Sequence, residues 1–391
     1  MVKYKVLFVN HEDDLVGGSS KSLLNMLHSV RDVVAPIILL RKEGPVHDFF
    51  KSEGYECVVI PFRRITFQGT LWKRIYRSLP HFITNSFINL RCILRASRLV
   101  REEGISIIHS NSSVIDVGYE IARFTGVKHV WHLREFVDAG LGVRFFGGYK
   151  RWKRKVDKSD AVIVISSQLR SYLGYDGVAN VFCIPDAVCG ESDTVFLKEK
   201  DKYFLFCSAK LSSVKHPEVA IEAFEKSGLA REGYRLVFTG NIDDGYKDDL
   251  LSLVIDKSLL HVVDFIGYVP DVKGLMSNAA GYLMCSEFEG LGRVTIEAMF
   301  YGCPVIARRS GGTLEIVEDN VNGFMYDSPN ECSSLMRHVA GNLPERIIIK
   351  AQETAVRRFS EESFRAELLR VYDYAFSRST MFPNSRRNSS V

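Results

Sequence analysis

Glu289 and Glu297 are separated by seven residues in the run Ser286-Glu-Phe-Glu-Gly-Leu-Gly-Arg-Val-Thr-Ile-Glu297. Between them lies a Gly-x-Gly turn, Gly290-Leu291-Gly292, followed by Arg293. The two glycines permit a ligand to approach the backbone closely. The following residues have helix composition and stop at Gly302; Pro304 forbids continuation, and Pro-Val-Ile-Ala resumes as a strand. Glu297 is therefore expected about one turn inside a helix whose free N-terminal amides and partial positive charge suit a phosphate. A carboxylate there suits a sugar diol, and Glu289, in the loop, reaches a group on the far side. Two solvated glutamates would be the bland alternative, but the glycines and the Cys303-Pro304 strand restart argue against it. The outline is that of a nucleotide-sugar site.

Such a site needs a scaffold, and the chain supplies two similar halves. In the first, apolar strand runs at Lys5–Asn10, Val34–Leu40, Cys57–Ile60, Ser106–His109, Lys128–His132, Ala161–Ile165 and Val181–Ile184 alternate with helical patterns. In the second, the runs are Tyr203–Ser208, Tyr234–Thr239, Val262–Ile266, Gly281–Cys285 and Pro304–Ala307, with a closing amphipathic helix over Phe364–Phe376. This alternation predicts βαβ units and parallel sheets. Ligands on such sheets bind beyond the strand C-termini, so two facing sheets create a cleft. The charged stretch 191–202 reads as a linker, and the Ser/Arg/Asn-rich tail from Ser377 reads as disordered.

At 391 residues the chain suits two domains. Eight cysteines show no paired metal-type spacing; Cys57, Cys183, Cys207 and Cys285 lie in apolar runs and read as reduced core thiols. The first apolar run is too short for a secretion signal, and no run approaches the roughly 20 residues that span a bilayer, so a cytoplasmic protein is expected. Residues 1–190 carry a net charge of +9 and residues 191–391 a net charge of −5. No acidic residue occurs from Cys57 through Arg101. There Arg91, Arg95 and Arg98 share a helical face opposite Ile88, Cys92 and Leu99, and a second basic helix covers Lys150–Lys155. With Trp72, Phe82, Phe87 and Trp152 nearby, these helices suit an anionic membrane surface, peripheral on the inner face of the plasma membrane. A solvated basic face is the alternative. Nucleic acid is not expected, because no binding module accompanies the charge.

The Glu-x7-Glu segment closely resembles the signature of family 4 retaining glycosyltransferases, and Ser310-Gly-Gly-Thr-Leu-Glu-Ile-Val317 is similar to that family's Gly-Gly-x-x-Glu-Ile-Val. The resemblance implies a GT-B fold: an α/β protein of two Rossmann-like, doubly wound parallel-sheet domains facing a central cleft. Residues 1–190 would form the acceptor domain and 203–360 the donor domain, with helix 361–376 packing back on the first. Lys210 and Lys215 stand where the family places the Arg and Lys that neutralise the donor diphosphate. Lys210 keeps the charge but loses the bidentate fork. Gly240 resembles a turn after the second strand, and Tyr268 and Val269 the turn whose backbone holds the nucleobase. Gly17 and Gly18 resemble the family's Gly-Gly loop, His132 the histidine that contacts the donor sugar, and Asn111 follows a strand end that lines the acceptor side.

Carried over, these residues give Glu289, His132 and Lys215 catalytic roles. Lys210, Lys215, Gly240, Tyr268, Val269, Gly290, Leu291, Gly292, Arg293 and Glu297 would hold the donor. The implied substrate is a UDP- or GDP-sugar, with no cofactor and no metal; Asp13-Asp14 and Asp243-Asp244 are rejected as metal sites. The acceptor would be a glycan or a polyprenyl-phosphate-linked molecule. Cations and amides would stabilise the leaving diphosphate while the acceptor attacks from the face it leaves, with retention. Two other readings stay open: a GT-B-type nucleotide-sugar epimerase, and a non-catalytic nucleotide-binding protein.

Overall fold

The computed structural model describes residues 2–13, 18–67, 75–137, 143–287, 289 and 291–378. Gly17, Trp72, Gly290 and the tail from residue 379 lie outside the described residues, as does the side chain of Phe82. The chain forms two compact units, one of Met1–Ile184 with Arg365–Val391, the other of Pro185–Phe364. Residues 191–202 thus belong to the second unit, and strand structure already begins at Asp201.

The first unit is built on a seven-stranded parallel sheet. Its spatial order is Glu56–Val59, Val34–Leu40, Tyr4–Val9, Ile107–Ser110, Lys128–Leu133, Ala161–Val164 and Val181–Cys183. Ile107–Ser110, Lys128–Leu133 and Ala161–Val164 are buried at every position. The last is a continuous apolar run, as a strand covered on both faces requires. The buried His109, Ser110, Lys128 and His129 of the other two are hydrogen-bonded. The strand order reverses between Tyr4–Val9 and Ile107–Ser110, which opens a crevice at their C-terminal ends. Helix Glu361–Ser377 packs into this unit through buried Leu368, Val371, Tyr372 and Ala375. Polar ties add to the packing: Tyr4 Oη donates to Asp373, and Arg365 donates to Asp32 and to the Ser29 carbonyl.

The second unit holds a six-stranded parallel sheet in the order Val263–Phe265, Arg235–Ile242, Asp201–Leu211, Ala279–Met284, Val305–Arg308 and Phe324–Tyr326. Phe204, Phe224, Phe238, Phe324 and Tyr326 fill its core. The order reverses between Asp201–Leu211 and Ala279–Met284.

Two expectations need correction, and one strand went unread. Gly240 is not a turn residue; strand Arg235–Ile242 runs through it, and the register shifts between Cys207 and Lys210 opposite. Gly240 has φ 144°, and a Cβ there would lie 2.2 Å from the Ser208 carbonyl oxygen, so a bulge rather than a turn selects the glycine. Cys183, expected in a core, is exposed, because its strand forms the sheet edge. The edge strand Phe324–Tyr326 was not anticipated. Its three residues are too few to register as a periodic run.

Candidate functional site

The second unit gathers its candidate residues at one sheet edge. Strand Asp201–Leu211 delivers Lys210 at its C-terminal end, and a single 3-10 turn, Ser213–Lys215, delivers Lys215. Across the order reversal, the chain leaving Ala279–Met284 delivers Glu289. The Lys215 ammonium donates to Glu289 Oε1, so the pair closes over the crevice where open parallel sheets bind ligands. Both side chains are mostly shielded, at 26% and 16% exposure, which strengthens their attraction over that of a surface pair.

The loop carrying Glu289 is held by the second motif. The amide of Gly312 donates to the Glu289 carbonyl at 2.9 Å, and Ser310 Oγ donates to the Ser286 carbonyl at 2.9 Å. Gly311 sits at φ 55°, and a Cβ there would lie 2.9 Å from the Glu289 nitrogen and 3.0 Å from the Glu287 oxygen. Only glycine meets both conditions without displacing backbone. The two motifs read from the sequence therefore meet as one structure, the second a backbone support for the first.

Gly292, at φ 78°, caps helix Arg293–Phe300, and Glu297 is its fifth residue, as the spacing predicts. Arg293 Nη1 donates to the Ala187 carbonyl at 2.9 Å, and its other terminal nitrogen lies 4.0 Å from Glu297 Oε1. Leu291 is buried. Tyr268 and Val269 lie half-buried just after strand Val263–Phe265, on the same edge. Lys210 is more exposed and pairs with Asp243 at 2.8 Å. Asp243 flanks helix Asp244–Asp256, and Asp13 accepts from Arg41, so both carboxylates answer cations. Among the described residues no group of three or more His, Cys, Asp or Glu side chains is arranged to hold a metal ion.

Sequence reasoning missed His216. It adopts the left-handed conformation, φ 53°, at the turn between Lys215 and helix Pro217–Ser227. A non-glycine residue in this conformation costs about 1 kcal/mol. Its ring bridges the two loops: Nδ1 lies 2.8 Å from Glu218 Oε1 and Nε2 3.7 Å from Glu287 Oε2.

In the first unit, Gly18 begins helix Gly18–Val30. Asn111 and His132 are fully buried at the C-terminal ends of their strands. Arg134 Nε donates to Asn111 Oδ1 at 2.9 Å, and Asn111 Nδ2 lies 3.5 Å from Asn10 Oδ1 across the order reversal. His132 Nδ1 lies 3.3 Å from both Arg134 Nη2 and His109 Nε2. Burial, with Arg134 beside them, pushes both histidines well below the usual imidazole range.

Residues 191–346 match the family model described as Glycosyl transferases group 1. An uncharacterized glycosyltransferase of Methanocaldococcus jannaschii is 23% identical over 353 residues, covering 88% of this chain and 90% of that protein. The poly(ribitol-phosphate) alpha-N-acetylglucosaminyltransferase of Staphylococcus aureus is 24% identical, covering 72% of this chain and 58% of that protein. The crystal structure of Anabaena HepE in complex with UDP and glucose superposes with a TM-score of 0.74 at 18% identity, covering 95% of this chain and 99% of that one. The fold is GT-B, and the matched segment and relatives support a glycosyltransferase. Glu289, Glu297, Lys210 and Lys215 all fall inside the matched segment.

Proposed function

We propose that this protein is a retaining glycosyltransferase, moving a sugar from a nucleotide-diphosphate sugar, UDP- or GDP-linked, to a glycan or lipid-linked acceptor. One observation carries the reading: Lys215 and Glu289 close over the order reversal of the second sheet, beside the helix that places Glu297 one turn in. The UDP held by HepE supports it further.

In this mechanism Glu297 takes the ribose diol. Lys215, Lys210 and the amides around Gly292 take the diphosphate, which competes with Glu289 for the Lys215 ammonium and leaves that carboxylate for sugar hydroxyls. As the glycosidic bond lengthens, charge grows on the diphosphate, and fixed cations stabilise that charge more than the ground state. The acceptor hydroxyl attacks from the same face, and a phosphate oxygen takes its proton. His132 orients the sugar, and Asn111 and Gly18 belong to the acceptor side. No metal enters the scheme, so chelator should leave the rate unchanged.

Incubation of the protein with labelled UDP- and GDP-sugars, with and without a mixed glycan and polyprenyl-phosphate acceptor pool, tests the reading. Acceptor-dependent release of the nucleoside diphosphate is expected. Isomerised donor without acceptor would replace the reading with an epimerase; tight binding with no turnover would leave a nucleotide-binding protein.

The acceptor's lipid linkage has its own support. Helix Ile75–Glu102 exposes Phe87, Leu90 and Leu94 at 64%, 51% and 50%, on consecutive turns beside exposed Arg91, Arg95 and Arg98. Apolar side chains amid arginines suit an anionic bilayer surface. Among the described residues no helix is long and apolar enough to cross a membrane. Co-sedimentation with anionic but not zwitterionic vesicles is expected; equal recovery with both would remove the idea.

A further inference from the structure

Helix Ile75–Glu102 forms one wall of a cavity of about 290 Å³ in the first unit, at the lower end of small-molecule sites. The other walls come from Arg64, Ile65 and Phe146 and from helices Val117–Thr125 and Tyr149–Asp157. These walls are held in place by hydrogen bonds. Asn89 Oδ1 accepts from the Arg63 amide at 2.8 Å. The Ile65 amide donates to the Val114 carbonyl at 2.9 Å, and the Phe146 amide to the Ile65 carbonyl at 2.7 Å. Trp152 Nε1 donates to the Ser113 carbonyl at 3.0 Å.

Ile65, Ile93, Val117, Phe146 and Trp152 supply an apolar lining. The two carboxylates of the cavity, Asp116 and Glu120, are answered by Lys155 and Arg123. Arg64 and Arg151 differ: both are exposed, and among the described residues neither guanidinium has a carboxylate partner. The helix carries the apolar character outward. At about 3.6 residues per turn, Asn85, Asn89 and Ile93 face the cavity, and Leu90 lines it while 51% exposed. Phe87 and Leu94 extend that strip around the helix, and Arg91, Arg95 and Arg98 border it.

We propose that this cavity seats one lipid phosphate, whose phosphate pairs with Arg64 and Arg151 and whose first carbons lie on Ile65, Ile93 and Phe146. The proposal deepens the bilayer-surface reading of the same helix and rests on it only for the source of the lipid. Two exposed guanidinia alone would hold inorganic phosphate weakly, because water and salt screen them. An apolar lining alone would take any hydrophobe of the right size. Together they select an amphiphilic anion, since the guanidinium fork matches phosphate oxygens and the lining removes the first carbons from water. The exposed strip through Leu90 then gives the rest of the chain a path along the helix.

Trp152 makes the test direct, because its indole lines the cavity at 2% exposure. Decyl phosphate below its micellar concentration should change the tryptophan fluorescence of the full-length protein saturably. Decanol and inorganic phosphate should each bind at least about tenfold more weakly. Arg64→Gln combined with Arg151→Gln should weaken decyl phosphate about tenfold or more and leave far-UV circular dichroism unchanged. Ile93→Phe, which fills the cavity, should weaken decyl phosphate and decanol alike. Equal affinity for decyl phosphate and decanol, or an affinity unmoved by the double substitution, would overturn the proposal. So would a fluorescence change that survives Trp152→Phe undiminished. Arg91→Gln, Arg95→Gln and Arg98→Gln together separate the two readings: recovery with anionic vesicles should fall while decyl phosphate still binds. Vesicle recovery indifferent to anionic lipid, with decyl phosphate binding intact, would strike the bilayer reading alone and leave the cavity's assignment standing.

Discussion

At the scale of single residues, Lys215 and Glu297 separate two kinds of binding energy. A lysine on the leaving diphosphate works hardest when charge has developed, so Lys215→Ala should cost kcat/KM roughly 100- to 1,000-fold, mostly in kcat. Glu297 grips a diol far from the reacting bond. Its interaction is uniform through the reaction, so Glu297→Ala should raise donor KM about tenfold or more and leave kcat nearly intact. Initial rates at varied donor distinguish the two; equal effects on kcat would mean that Glu297 faces the reacting centre. The helical position of Glu297 was legible from its spacing after the glycines, whereas Lys215 was singled out only through the family resemblance. His216 was not, since its importance lies in a backbone angle rather than in its type. The contact between Tyr372 and His109 was also invisible, as the two lie 263 residues apart in the chain.

At the scale of elements, the Gly311 turn supports the Glu289 loop through backbone alone. Gly311→Ala sets a Cβ against Glu289 N in a left-handed conformation and should cost about 1–3 kcal/mol. The damage should fall on the loop: nucleotide affinity should drop more than tenfold while the second sheet stays folded, which titration calorimetry beside far-UV circular dichroism would establish. The strands themselves were readable because a parallel sheet covered on both faces demands apolar runs, and the first sheet's strands begin and end within a few residues of those runs. What failed was local. Gly240 carries the composition of a turn, yet the strand continues because Lys210 and Leu211 pair beyond the bulge with Asn241 and Ile242. Pairing across a sheet is a tertiary fact, and no short window contains it.

At the scale of the whole molecule, the first unit holds a store of buried neutral histidines. Burial, with Arg64 and Arg41 adding repulsion, holds His11 down to about 3, and burial alone holds His129 down to about 3. His109 and His132 are also well below the usual range. The unfolded chain protonates these rings near pH 6.5, so their contribution is fully present above that value and is lost as pH falls from 6.5 toward 3. At pH 5 each ring costs about 2 kcal/mol relative to neutral pH. All three tryptophans lie in the first unit, so their fluorescence reports it selectively. Urea midpoints by tryptophan fluorescence should fall steeply between pH 7 and pH 5, and less steeply by circular dichroism. Parallel shifts in both probes would show that acid acts on the second unit as well.

The claim on which the functional account depends is that the second unit alone grips a nucleoside diphosphate through Lys215 and Glu297. Titration calorimetry with UDP and GDP, on the unaltered protein, Lys215→Ala and Glu297→Ala, addresses it directly. One of the two nucleotides should bind, and each substitution should weaken it by about tenfold or more. Binding that is equally tight in all three proteins, or heat from neither nucleotide, would contradict the account.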